Sequence, residues 1–135
     1  MKKIILYINI FFAFNQNIHA KDVIVGAQRI DQYLPVLKNK KVGLVINQTS
    51  TIGNTSLLDT LLSLGINVKV VFAPEHGFRG TADAGEHVLN GVDPKTNVAI
   101  ISLYGDNKKP KAAQLKDLDI LVFDIQDVGV RFYTF

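Results

Sequence analysis

The sequence contains no cysteine and no tryptophan. Without cysteine there is no disulfide framework, no thiolate metal site and no cysteine nucleophile. Long hydrophobic runs are also missing: Ile4 to Phe14, interrupted by Asn9, spans about eleven residues, whereas a membrane span needs about 20. Charged residues are sparse at 20%, against 47% hydrophobic, a balance too apolar for a disordered tail. No G-x-G-x-x-G fingerprint follows the first apolar strand, which argues against nicotinamide or flavin binding, and no G-x-S-x-G elbow supports an esterase triad. At 135 residues the chain has room for one domain rather than two.

What is present begins with a leader. Lys2 and Lys3 precede the apolar run, and Asn15-Gln16-Asn17 leads to Ile18-His19-Ala20, with a small residue suited to cleavage. Residues 1–20 are therefore expected to be a signal peptide, and the protein to be exported, periplasmic or extracellular. No cysteine follows the run, so a lipid anchor on cysteine is excluded, and no stable membrane anchor is expected. Removing Lys2 and Lys3 takes the 15 basic residues to 13 against 12 acidic ones, a net charge of about +1. The remaining lysines are scattered, and Lys38, Lys40 and Lys41 read as a solvated helix end, so nucleic acid is not an expected partner.

Residues 21–135 alternate apolar runs with helical spacing. Helices are expected over residues 27–37, 57–64 and from Pro110 to about Leu118. The second is capped by Ser56 and stopped by Gly65. Strands are expected over 41–47, 67–73, 97–103 and 119–125, with a loop at 49–55 and a long Gly-rich connection from Pro74 to Thr96. This alternation predicts an α/β fold with parallel βαβ units, a Rossmann-like doubly wound sheet. The chain stops after the fourth recognisable strand, and the expectation is an incomplete domain.

In open α/β sheets ligands bind beyond the carboxyl ends of the strands. Polar residues collect there: Asn47-Gln48-Thr49 after the first strand, Pro74-Glu75-His76-Gly77-Phe78-Arg79-Gly80 after the second, Tyr104-Gly105 after the third, and Asp124-Ile125-Gln126-Asp127 after the fourth, followed by Arg131 and Tyr133. Asn, Asp and Gly also favour turns, so Asn47 or Asp124 alone would carry little. The Glu75 segment is more demanding, because it sets an acid, an imidazole and a guanidinium between turn formers. A partly buried Glu75 could act as general acid, and Arg79 could hold a substrate carboxylate. The bland alternative is an exposed loop with a local Glu–Arg pair. Glu75-His76 is echoed by Glu86-His87, with Asp83 between, which keeps a zinc or manganese site conceivable. The pairs lack the i, i+4 histidine spacing of a helical zinc motif, and no metal or other cofactor is assigned.

At Gly43 to Thr49, Phe72 to Glu86, Ser102 to Gly105 and Leu121 to Thr134 the sequence resembles the exo-β-N-acetylmuramidase family of secreted bacterial peptidoglycan-sugar hydrolases. The resemblance runs from about residue 22 to the end. It implies a Rossmann-like N-terminal catalytic domain followed by a smaller C-terminal domain absent from this chain, which would complete the cleft. It also implies release of N-acetylmuramic acid from the non-reducing end of peptidoglycan fragments, without a redox cofactor. Carried onto this sequence, it makes Glu75 the expected general acid with His76 beside it. Asn47, Arg79, Glu86, Gln126, Asp127, Arg131 and Tyr133 are expected to line the pocket, with Tyr104 as a further substrate-binding residue.

On this reading Glu75 protonates the leaving oxygen, and Asp127 or Glu86, with Asp124 less favoured, acts as base or nucleophile. Carboxyl separations of about 5–5.5 Å favour retention and about 6.5–9.5 Å inversion. Attack by the sugar's own acetamido group needs no protein nucleophile and stays open. Arg79 or Arg131 would clamp the lactyl carboxylate of muramic acid. The competing expectations are a non-catalytic sugar-binding or remnant polypeptide and a metal-dependent hydrolase.

Overall fold

The computed structural model describes residues 23–74, 78–79, 90–105 and 107–126. Its centre is β1 (Lys41–Ile46), a six-residue apolar run buried after its first residue. Such a run suits a strand covered on both faces. β1 pairs in parallel with β4 (Asn67–Ala73) on one side and with β7 (Ile120–Asp124) on the other. β4 in turn pairs in parallel with β6 (Ala99–Ser102). With a short antiparallel edge, β5 (Gly91–Val92), the described residues form a five-stranded sheet of order β5-β6-β4-β1-β7. The four parallel strands thus follow a 3-2-1-4 order, the doubly wound Rossmann arrangement. The α/β expectation holds.

Alternation along each strand divides the core between the two faces. Val42, Leu44 and Ile46 join Leu57, Leu58, Leu61, Val68 and Val71 in the larger cluster. This face is covered by α1 (Ile30–Leu37) and α2 (Leu57–Ser63), preceded by a 3₁₀ turn at Gly26–Gln28. Val45, Val70 and Phe72 face the other way, against Leu115 and Leu118. Here the helix expected from Pro110 to Leu118 proves to be a single turn, α3 (Ala112–Leu115). β7 keeps Leu121 at 45% and Phe123 at 69% exposure on this thinly covered side.

Local chemistry explains most boundaries. Gly65 adopts φ +76°, and the amides of Gly65 and Ile66 bond back to the carbonyls of Leu62 and Leu61. That pair of bonds is a Schellman stop, which glycine enters without steric cost. Ser56 occupies the N-cap position of α2, but its side chain makes no capping bond. The expected loop at 49–55 contains a small hairpin, β2 (Thr51–Ile52) with β3 (Thr55–Ser56), turned through Gly53 at φ +59°.

Gly43 lies at a close approach between β1 and its cover. A Cβ there would lie 2.6 Å from Leu118 Cδ1 and 3.0 Å from Leu121 Cδ1. Those methyls end flexible side chains, so alanine is accommodated by small shifts. Valine adds two more carbons to the same gap, and Gly43→Val is expected to cost about 1–3 kcal/mol, measured by urea unfolding. A loss no larger than that of Gly43→Ala would show the gap to be soft.

Candidate functional site

The strand order reverses at β1, and the crevice of a doubly wound sheet opens where it does. Here that place lies between the carboxyl ends of β1 and β7, whose last register pair is Ile46 with Asp124. Past that pair the sheet ladder ends, and two hydroxyls continue the connection. Buried Ser50 accepts from the Asn47 backbone N–H at 3.1 Å and donates through Oγ to the Asp124 carbonyl. Thr49 donates through Oγ1 to Asn47 Oδ1 at 2.6 Å and accepts from the Gln126 backbone N–H at 3.2 Å. A hollow of about 420 Å³ lies against this seam, its wall including Gln28, Thr49, Thr51, Asp124 and Gln126. Its volume falls in the range of small-ligand sites.

Asp124 also borders a second, mostly apolar hollow of about 230 Å³, shared with Ala27, Tyr33, Leu57, Leu61 and Val122. Burial pushes its carboxyl above the usual aspartate range. The Tyr33 phenol is raised too, by burial first and then by the charge of Asp124. Tyr33 donates to the Ala27 carbonyl at 2.6 Å, which anchors the 3₁₀ turn beside both hollows. A carboxyl whose folded pKa is raised stabilises the fold less as pH climbs, because the unfolded chain ionises more readily. Asp124→Asn is therefore expected to raise the melting temperature at neutral pH. That gain vanishes below the ordinary aspartate range, where both states are protonated. An equal gain at all pH values would refute the burial argument.

The site residues expected from sequence are partly assembled here. Asn47 and Gln126 meet through Thr49. Asn47 is 1% exposed: Oδ1 accepts from Thr49 twice, once from the backbone N–H at 2.9 Å and once from the hydroxyl. Among the described residues, Asn47 Nδ2 and Gln48 Oε1 are buried without hydrogen-bond partners. Tyr104 follows the end of β6 and belongs to the same edge, two strands away from β1. Glu75, His76, Glu86, Asp127, Arg131 and Tyr133 lie outside the described residues. Among the described residues no three His, Asp or Glu side chains are grouped to hold a metal. The two Glu-His pairs are not among those residues.

Arg79, expected as a clamp for a substrate carboxylate, has its guanidinium engaged by two internal acids among the described residues. Nε and Nη2 donate to Asp93 at 2.8 and 2.7 Å, and Nη2 and Nη1 donate to Asp59 at 2.9 and 3.3 Å. This accounts for most of the five N–H donors of the fork. Lys95 adds a 2.6 Å ion pair to Asp59, so among the described residues two cations here face two anions. The guanidinium also lies over the buried Phe78 ring, 4.7 Å from its centre.

Arg79 holds the Asp93 carboxyl down to about 2, helped by the hydroxyl and amide of Thr96. Asp59 is lowered for the same reason, Arg79 first. Asp93, Asp59 and Thr49 are the residues that sequence reasoning passed over as individual contributors. Asp93 carries a recognisable signal, an aspartate before proline in a turn, whereas Asp59 looks like any exposed helix residue.

The family described as "Exo-beta-N-acetylmuramidase NamZ, N-terminal" matches residues 42–135. Peptidoglycan beta-N-acetylmuramidase NamZ of Bacillus subtilis (strain 168) is 46% identical over 110 residues, which is 78% of this chain and 26% of that protein. A crystal structure of a DUF1343 family protein from Bacteroides fragilis NCTC 9343 shares 47% identity at a TM-score of 0.68, covering 84% of this chain and 28% of its own. A second from the same organism shares 37% identity at 0.65, covering 78% and 26%. The chain spans about a quarter of the length of these relatives. With a family match that takes in the carboxyl ends of all four parallel strands, the chain belongs to the exo-β-N-acetylmuramidase NamZ N-terminal family.

Proposed function

We propose that this chain supplies the Rossmann-like part of a glycosidase that releases N-acetylmuramic acid from the non-reducing end of peptidoglycan fragments. The observation that carries the reading is the family match over residues 42–135, which includes the seam of Asn47, Thr49, Asp124 and Gln126 as well as the Glu75 segment. The glycosidic bond breaks when its leaving oxygen is protonated, and Glu75 is the proposed donor, with His76 beside it. Asp127 or Glu86 is the proposed second carboxylate. Raised in pKa and bordering the hollow, Asp124 gains standing as a partner for substrate hydroxyls. The engagement of Arg79 by two aspartates leaves Arg131 as the proposed clamp on the lactyl carboxylate. The peptidoglycan substrate fits the proposed export of the protein by residues 1–20.

A second reading, sugar binding without turnover, rests on the hollow of about 420 Å³ beside β1 and β7, which needs no catalytic group to receive a sugar. The test runs a chromogenic muramic acid glycoside against this chain and against the B. subtilis relative, each with and without glutamine at the position of Glu75. Turnover by both unsubstituted proteins that collapses in both variants supports catalysis here. Binding of N-acetylmuramic acid by this chain without turnover supports the second reading. Full activity of the glutamine variants ends the assignment of Glu75.

A further inference from the structure

We propose that Thr49 is a positioning residue that sets Gln126 on the wall of the sugar-binding hollow between β1 and β7. The inference rests on the reading that this hollow takes a muramic acid sugar. The last ladder pair of β1 and β7 is Ile46 with Asp124, so the sheet itself does not hold residue 126 against the turn at 47–50. Two hydroxyls supply that hold. Ser50, 2% exposed, secures the Asp124 carbonyl from beneath. Thr49 is the outer stitch, and it is the one that lines the hollow.

The direction of each bond is determined by the donors present. The Gln126 backbone N–H can only donate, so Thr49 Oγ1 accepts there and its single proton goes to Asn47 Oδ1, 2.6 Å away. The Thr49 backbone N–H donates to the same oxygen, and this doubly filled acceptor fixes which end of the Asn47 amide is oxygen. Asn47 is too buried to serve as a surface contact, and its part is to hold the Thr49 hydroxyl in the rotamer that receives Gln126. A rigid supporting bond of this kind matters because a site displaced slightly loses its aligned contacts with the ligand.

Thr49→Val keeps the shape and removes the hydroxyl, whereas Thr49→Ser keeps the hydroxyl. Hydrogen exchange of the Gln126 backbone amide and titration with N-acetylmuramic acid, both followed by NMR on this chain, separate the outcomes. The proposal expects the valine variant to lose Gln126 protection and to bind the sugar about tenfold more weakly, the loss of one hydrogen bond's worth of alignment. Serine should restore both. Valine that binds like the unsubstituted chain, or serine that fails to rescue, overturns the role of Thr49. A chain that shows no sugar-induced shifts before any substitution overturns the muramic acid reading and the binding role with it, while Gln126 exchange still reports whether the stitch exists. Should valine unfold the chain, the serine variant decides alone, by retaining Gln126 protection and affinity or by losing them.

Discussion

Replacing Arg79 with methionine is expected to destabilise the fold by about 2–3 kcal/mol, below the about 3–5 kcal/mol of a fully buried charge pair because the guanidinium is 26% exposed. Methionine retains the packing over Phe78 but leaves the Asp93 carboxylate, whose side chain is 0% exposed, with Thr96 as its remaining partner among the described residues. Domains of this size are stable by only about 5–15 kcal/mol, so the unfolding midpoint should move far. The pH dependence identifies the cause. A carboxyl whose folded pKa is lowered, here to about 2, contributes stability that is complete above the unfolded value and is lost as pH falls through the folded one. The difference in stability between the unsubstituted protein and the Arg79→Met variant should therefore shrink as pH drops from about 4 towards 2. Adding Asp93→Asn to Arg79→Met should recover part of the loss, since the unpaired charge is then gone. By contrast Lys95, 65% exposed in its pair with Asp59, should matter by less than about 1 kcal/mol. A small, pH-independent effect of Arg79→Met would mean that the guanidinium is free to meet a ligand after all.

Glu75→Gln is expected to lower turnover about 10³-fold, within the span of about 10²–10⁴ typical for a positioned acid, with little change in unfolding midpoint. The amide is nearly isosteric and still accepts hydrogen bonds, but it has no acidic proton to give. The loss should depend on the leaving group. A poor leaving group, such as the alkoxide of a second sugar, needs protonation, whereas an activated phenolate departs with less help. The glutamine variant should thus lose more on a natural disaccharide than on a nitrophenyl glycoside, measured on the B. subtilis relative at the position matching Glu75. Equal losses on both substrates would assign the glutamate to binding rather than to proton transfer.

The parallel alternation can be read directly from the residues because it rests on local properties. Lys41 to Ile46 and Asn67 to Ala73 are apolar runs, and Gly65 supplies a left-handed stop, so those boundaries agree with the structure to within a residue. The third helix is shorter than its sequence suggests. After Pro110 the helical pattern rests on few apolar positions, and a thin cover on that face of the sheet supports only Ala112–Leu115. The antiparallel edge β5 leaves no signature in the sequence, because Gly91 and Val92 are too short to show a period.

Composition and spacing by themselves determined the α/β class and the polar character of the strand ends, while the resemblance to a muramidase family rested on particular segments such as Phe72 to Glu86 and Leu121 to Thr134. They did so because hydrophobic period, capping and turn chemistry are written within a few residues. Only the folded chain decided which polar side chains face one another. Arg79 meets Asp59 and Asp93 across 20 and 14 residues, and Thr49 meets Gln126 across 77. Such contacts depend on strand order and register, which place β1 beside β7 and bring Arg79 and Asp93 to the start of α2. No local pattern encodes that arrangement, so neither the Arg79–Asp93 brace nor the Thr49–Gln126 link could be read from the residues alone.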